Sequence, residues 1–140
     1  MAAGLTIHAT CVAIDGRAVL LIGPSGSGKS DLALRLIDRG AKLVADDRTI
    51  LDPVAGELRA SVPATIAGQI EVRGVGIVAA TPVTAPVALA VRLDAMPERM
   101  PPEVLPLTDY AGLGVPTLAL DGFEASAPLK VELALKALPR

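Results

Sequence analysis

Gly23-Pro24-Ser25-Gly26-Ser27-Gly28-Lys29-Ser30 fits the pattern G-x-x-x-x-G-K-[ST] at every fixed position. Its glycines let backbone N–H groups wrap an anion without side-chain crowding. Lys29 can reach the β and γ phosphates of a nucleoside triphosphate, and the Ser30 hydroxyl can ligate Mg²⁺. With glycine at roughly 7% of residues, a chance match in a chain this long is about one in two hundred. The flanks supply the context. Residues 18–22 form an apolar run that reads as a buried strand. Residues 31–39 place Leu32, Leu36 and Ile37 among charges and read as a helix, with Gly40 just past its end. Such a helix turns its positive end toward the bound phosphates. A plain Gly/Ser turn would need neither flank.

Working outward, residues 5–14 are apolar and β-branched and read as one strand. Asp15-Gly16 is a hairpin turn signal before the strand that leads into the loop. Residues 42–45 read as a third strand, ending at Asp46-Asp47. Residues 49–51 and 58–61 can pair as a hairpin around Pro53-Val54-Ala55-Gly56. Residues 66–80, with Gly74 and Gly76, read as a strand or strand-like loop with crowded backbone. Residues 87–93 are a further strand. Residues 96–116 hold five prolines and read as a long loop. A short strand over 117–120 precedes a last helix through Ala137, capped by Ser126, with Pro128 in its first turn. Strands alternating with helices give an α/β fold. The 140 residues show no repeat or linker and are expected to form a single domain over 1–140.

Composition narrows the partners. Hydrophobic residues make up 51% of the chain and aromatic ones 1%, so the core is built from Val, Leu, Ile and Ala. The net charge is -2 and the pI near 5.3, which argues against a nucleic-acid footprint. Tyr110 and Phe123 are the only Phe, Tyr or Trp residues, leaving base stacking little to work with. Cys11, the single cysteine, reads as a small buried hydrophobe in a reducing compartment. No basic leader precedes an apolar run, and no apolar stretch reaches the ~18 residues needed to span a bilayer. The expected setting is the cytoplasm, with no membrane partner.

Three further groups sit where phosphate chemistry could use them. In a P-loop fold Asp46-Asp47 lies beside the phosphates, where one carboxylate can hold Mg²⁺, directly or through water, and the other can take a proton from an attacking hydroxyl. A solvated turn with an Asx cap is the alternative. His8 lies on an apolar strand and can be either a hydrogen-bonded structural residue or a catalytic one. Glu71 and Arg73 share a face if the chain there is extended. They can form an ion pair, or Glu71 can be a second magnesium ligand.

Taken together, His8-Ala9-Thr10, the loop 23–30, Arg39-Gly40, Leu43-Val44-Ala45-Asp46-Asp47-Arg48 and Ile70-Glu71-Val72-Arg73-Gly74-Val75-Gly76-Ile77-Val78 resemble the catalytic domain of the HPr kinase/phosphorylase family. The segment from Glu71 to Ile77, with Arg73, Gly74 and Gly76, is the most specific part, and the resemblance is clear over residues 5–80. It implies a P-loop kinase core similar to that of phosphoenolpyruvate carboxykinase, with a mixed β-sheet and flanking helices. It also implies ATP as donor, Mg²⁺, and a serine of the phosphocarrier HPr, or of an HPr-like protein, as acceptor. His8 and Asp47 would stand in the active site, with Asp47 as base. Lys29 would hold the phosphates, Ser30 and Glu71 the metal. Homo-oligomers are expected, since members of the family are hexameric.

Where this chain departs from the family the expectations change. The upstream domain of longer members has no counterpart in these 140 residues, so a short form of the family is expected. An active-site arginine is expected in an Asp-Arg-Leu-Gly context; Arg99, in Glu98-Arg99-Met100-Pro101, is the nearest residue. Ser126-Ala127-Pro128-Leu129-Lys130-Val131 stands where the family has Gly-Arg-Asn, which argues against the reverse, phosphorylase reaction. Two other readings compete. A small-molecule kinase would need clustered basic residues for an anionic acceptor, and here they are scattered. A nucleotide-sensing module without turnover would not need His8, Lys29, Asp47 and Glu71 together.

Overall fold

The computed structural model describes residues 4–139. Its strands are β1 (Leu5–Ile7), β2 (Ala9–Ile14), β3 (Arg17–Ile22), β4 (Lys42–Ala45), β5 (Thr49–Val54), β6 (Glu57–Ser61), β7 (Gln69–Val72), β8 (Gly76–Ala79), β9 (Ala85–Arg92), β10 (Leu107–Tyr110) and β11 (Leu113–Ala119). Its α-helices are α1 (Lys29–Asp38) and α2 (Ala127–Ala137).

Nine strands form one mixed sheet in the order β1-β5-β6-β9-β3-β2-β4. The sheet forks at β9. Its first residues pair with β6, Ala85 opposite Ala60. Its last pair on one side with β3 and on the other with β11, both parallel, Ala90 lying between Leu20 and Thr117. β10 extends the fork antiparallel to β11. The hairpin β7–β8 stands apart as a two-stranded sheet.

Side chains alternate along the central strands, and both faces are buried. On the helix side Val12, Val19, Leu21, Leu89 and Val91 pack against Leu32 and Leu36 of α1 and Val131 and Leu135 of α2. On the other side Cys11, Ala18, Leu20 and Ala90 meet Leu51, Leu58 and Val115 from the curled ends of the sheet. A strand covered on both faces needs no polar alternation, which accounts for the unbroken apolar run over 18–22. Cys11 is fully buried, and burial pushes its thiol far above the ordinary range, so it is an inert core residue.

Three two-residue turns carry positive φ at both positions: Asp15-Gly16 (50° and 79°), Ala55-Gly56 (52° and 81°) and Ala111-Gly112 (53° and 86°). Each closes an antiparallel hairpin, as type I′ turns do. The sequence signal at Asp15-Gly16 and the 49–61 hairpin are found as expected. Five expectations are corrected. Residues 5–14 break at His8, so β1 pairs with β5 while β2 pairs with β3 and β4. The segment 66–80 is a hairpin. The long loop 96–116 gives way at Leu107 to the β10–β11 hairpin, and the strand expected at 117–120 starts at Leu113. Ser126 precedes α2 but makes no side-chain cap.

Candidate active site

The loop 23–30 joins β3 to α1 as its sequence requires. Gly26 and Gly28 have φ of 86° and 93°, in the left-handed region that glycine takes freely. Gly23 is needed for space instead: a Cβ there would lie 2.9 Å from Cβ of Ser27. Gly28 precedes α1 with no side-chain cap, so the first-turn N–H groups face the loop's concavity, the arrangement that binds anions. Lys29 is buried and curls across its own loop, donating from Nζ to the carbonyls of Gly23 (2.6 Å) and Pro24 (3.1 Å).

The two acids after β4 go to different environments. Asp46 is buried, 9% exposed. Its Oδ1 accepts from Ser30 Oγ (2.6 Å) and Thr10 Oγ1 (3.1 Å), and its Oδ2 accepts from the Glu71 backbone N–H (2.9 Å). It thereby ties the helix start, β2 and the β7–β8 hairpin together. Asp47 has φ of 70°, and the Arg48 N–H bonds back to the Asp46 carbonyl at 2.8 Å. That is a γ-turn with Asp47 at its apex, a strained form that aims its carboxylate outward. The Asp47 side chain is 60% exposed, and its Oδ1 accepts from His8 Nε2 at 2.5 Å. The break between β1 and β2 places His8 there.

A cleft of about 660 Å³ opens along the loop. Lys29, Ser30, Asp46, Asp47, Glu71 and Arg73 all line it, so most of the residues singled out in the sequence converge. Arg99 does not: it is exposed between β9 and β10 and is not among the lining residues. The arginine at the cleft is Arg73, in the β7–β8 turn. Sequence reasoning missed Thr10, whose hydroxyl both donates to Asp46 and accepts from the Asp47 N–H (3.3 Å). It also passed over Phe123 as a cleft residue. Ser30 and Glu71 offer oxygen donors of the hard kind that Mg²⁺ takes. Among the described residues no three His, Cys, Asp or Glu side chains form a ready metal cage. A magnesium site built from one or two side chains together with substrate phosphates needs none.

Fold and site together have the form of a P-loop core: a glycine-rich loop between strand and helix, with a buried and an exposed carboxylate beside it. A family model for the HPr Serine kinase C-terminal domain matches residues 1–84, and the chain belongs to that family. It is 44% identical over 72 residues to the HPr kinase/phosphorylase of Clostridium tetani, covering 51% of this chain and 24% of that protein. To the HPr kinase/phosphorylase of a Thermoanaerobacter species it is 46% identical over 78 residues, 55% of this chain and 26% of the relative. The chain thus matches about a quarter of the length of these curated relatives. Among solved structures, the HPr(Ser) kinase/phosphatase of Coxiella burnetii superposes with a TM-score of 0.79 and 31% identity, over 94% of this chain and 88% of that one. No helix among the described residues is long and apolar enough to cross a membrane.

Proposed function

We propose that the chain is a kinase that transfers the γ-phosphoryl group of ATP, with Mg²⁺, to a serine of the phosphocarrier HPr or an HPr-like protein. The observation that carries this reading is the division of labour between Asp46 and Asp47. One carboxylate is buried and committed to holding the loop's serine. Its neighbour is exposed in the same cleft and, among the described residues, its carboxylate is partnered by His8 on one oxygen.

In the forward reaction the serine Oγ attacks the γ phosphorus in line. The bond from that phosphorus to the β-bridging oxygen breaks, ADP leaves, and the serine proton passes to Asp47. His8 orients the Asp47 carboxylate. Lys29 swings from the loop carbonyls to the phosphates, and backbone N–H groups of 26–30 hold them. Ser30 Oγ, with Glu71 as a second donor, would hold Mg²⁺, which when bound would supply positive charge against the charge developing on the phosphates. Asp46, which already accepts three hydrogen bonds, sets the direction of the Ser30 hydroxyl. Arg73, at the cleft, takes the place that Arg99 was expected to fill. A protein acceptor is supported by the β7–β8 hairpin, which leaves Val75 (76% exposed) and Ile77 (70% exposed) as apolar surface beside the cleft.

The test is incubation with labelled ATP, Mg²⁺ and HPr from the same organism. Label on an HPr serine is expected; intact nucleotide binding with no label on HPr removes this acceptor and leaves the small-molecule kinase or the sensing module. Adding inorganic phosphate to phospho-HPr then reads the reverse reaction, which the segment 126–131 argues against. Size measurement in solution tests the expected homo-oligomer.

A further inference from the structure

Phe123 is one of the chain's two residues among Phe, Tyr and Trp, and its side chain is presented rather than buried. It is 67% exposed and lines the cleft. Its ring lies over the phosphate loop: a Cβ built on Gly28 would come within 3.2 Å of ring carbon Cε1. The segment that carries it is fixed from several sides. Arg35, on α1, donates to the Glu124 carbonyl at 2.9 Å and to the Gly122 carbonyl. The Phe123 N–H bonds to Asp121 Oδ1 at 2.9 Å, and Glu124 pairs with Lys130 of α2 at 2.8 Å. Leu34, one turn beyond Ser30 on α1, adds a second apolar side chain to the same cleft.

A solvent-facing aromatic ring costs free energy that these bonds hold in place, at a fixed height above the residue before Lys29. A nucleotide whose phosphates lie in the loop projects its sugar and base out of it, and a flat apolar face next to the loop is what a base stacks on. We propose that Phe123 is the stacking platform for the donor's base, with Leu34 closing the apolar side. This rests on the phosphate-loop reading of the site. Stacking recognises a π-face, not an edge. The chain contains no Asn, and its one Gln, Gln69, does not line the cleft; Asp31, which does, is paired with Arg35 at 3.0 Å, and the Ser25 hydroxyl can donate or accept and so favours neither purine. The donor site therefore takes nucleoside triphosphates with little distinction between ATP and GTP.

The experiment compares the affinities of ATP, GTP and inorganic tripolyphosphate, each with Mg²⁺, for the full chain and for Phe123→Ala and Phe123→Trp. Tripolyphosphate keeps the phosphates and lacks the base. In the unaltered chain ATP and GTP should bind within about threefold of each other, and both more tightly than tripolyphosphate. Phe123→Ala should weaken both nucleotides roughly 5- to 150-fold, the size of one aromatic–base stack, and leave tripolyphosphate unchanged. Phe123→Trp should restore nucleotide affinity and so show that loss in the alanine variant is not misfolding. An equal loss for tripolyphosphate and ATP in Phe123→Ala, or no loss for ATP, overturns the stacking role. An unaltered chain that binds tripolyphosphate as tightly as ATP also overturns it while sparing the phosphate loop. Binding of none of the three overturns the phosphate-loop reading and this inference with it.

Discussion

The phosphate loop and the β7–β8 hairpin are two walls of one cleft, and they are held by opposite means. Around the loop, Asp46 joins Thr10, Ser30 and the Glu71 N–H, Lys29 is buried, and the strand beneath is covered on both faces. The hairpin has β8 exposed along its whole length; it is held by Ile70 and Val72, packed near α1, and by the bond from the Glu71 N–H to Asp46. A triphosphate has fixed geometry and repays a rigid receptor. The other wall is suited to an acceptor that arrives from solvent and brings its own surface. Asp46 and Asp47 show the same contrast within two residues, one sealed by hydrogen bonds and the other left at 60% exposure.

Substitutions can break or sharpen that contrast. The largest effect is expected from Asp47→Ala, which should retain ATP binding and lower phosphoryl transfer by roughly 10²- to 10⁴-fold, the range for removing a general base. Single-turnover transfer to HPr measures it, and transfer at the normal rate would return Asp47 to a surface turn. Lys29→Ala should lower nucleotide use at least about a hundredfold, read as loss of ATP binding by titration. Asp46→Ala acts on the rigid wall itself. It strips the acceptor from two hydroxyls and one N–H, and should cost about 3 kcal/mol of stability, measured as a lowered urea midpoint. The smallest effect is expected at the hairpin. Ile77→Ser should change stability by less than about 0.5 kcal/mol while raising KM for HPr about fivefold, the size of one modest interface contact. Equal KM values for both chains would place the acceptor elsewhere.

Local chemistry was legible in the sequence and long-range chemistry was not. The loop, α1 and the turn at Asp15-Gly16 declare themselves through glycines, periodicity and a dipeptide suited to positive φ. The β10–β11 hairpin hid because its turn, Ala111-Gly112, has no more local signal than Ala55-Gly56 and lies beyond a run of prolines that reads as loop. Alanine is a poor left-handed residue, so only half of the signal is present at either turn. The split at His8 hid because a change of pairing partner, from β5 to β3 and β4, leaves an apolar, β-branched run unaltered. Lys29, Ser30, Asp46, Asp47 and Glu71, singled out by motif and resemblance, line one cleft. Arg99 does not line the cleft, and nothing in its own neighbourhood of the sequence says on which side of the fold the chain carries it. Thr10 and the Arg35 bonds to Gly122 and Glu124 span 36 residues or more of sequence and have no local signature.

The fork at β9 also bears on what can be inherited as a piece. The family match ends at residue 84, and β9 begins at Ala85. A polypeptide stopping at that boundary would keep Lys29, Ser30, both acids, His8 and Glu71, and would lose the strand against which β3 is laid along its whole outer edge. It would also lose α2 and the segment that presents Phe123. The recognisable half of this chain is therefore a signature without a scaffold. The half outside the family match cannot be dispensed with, because the loop's position is measured from it.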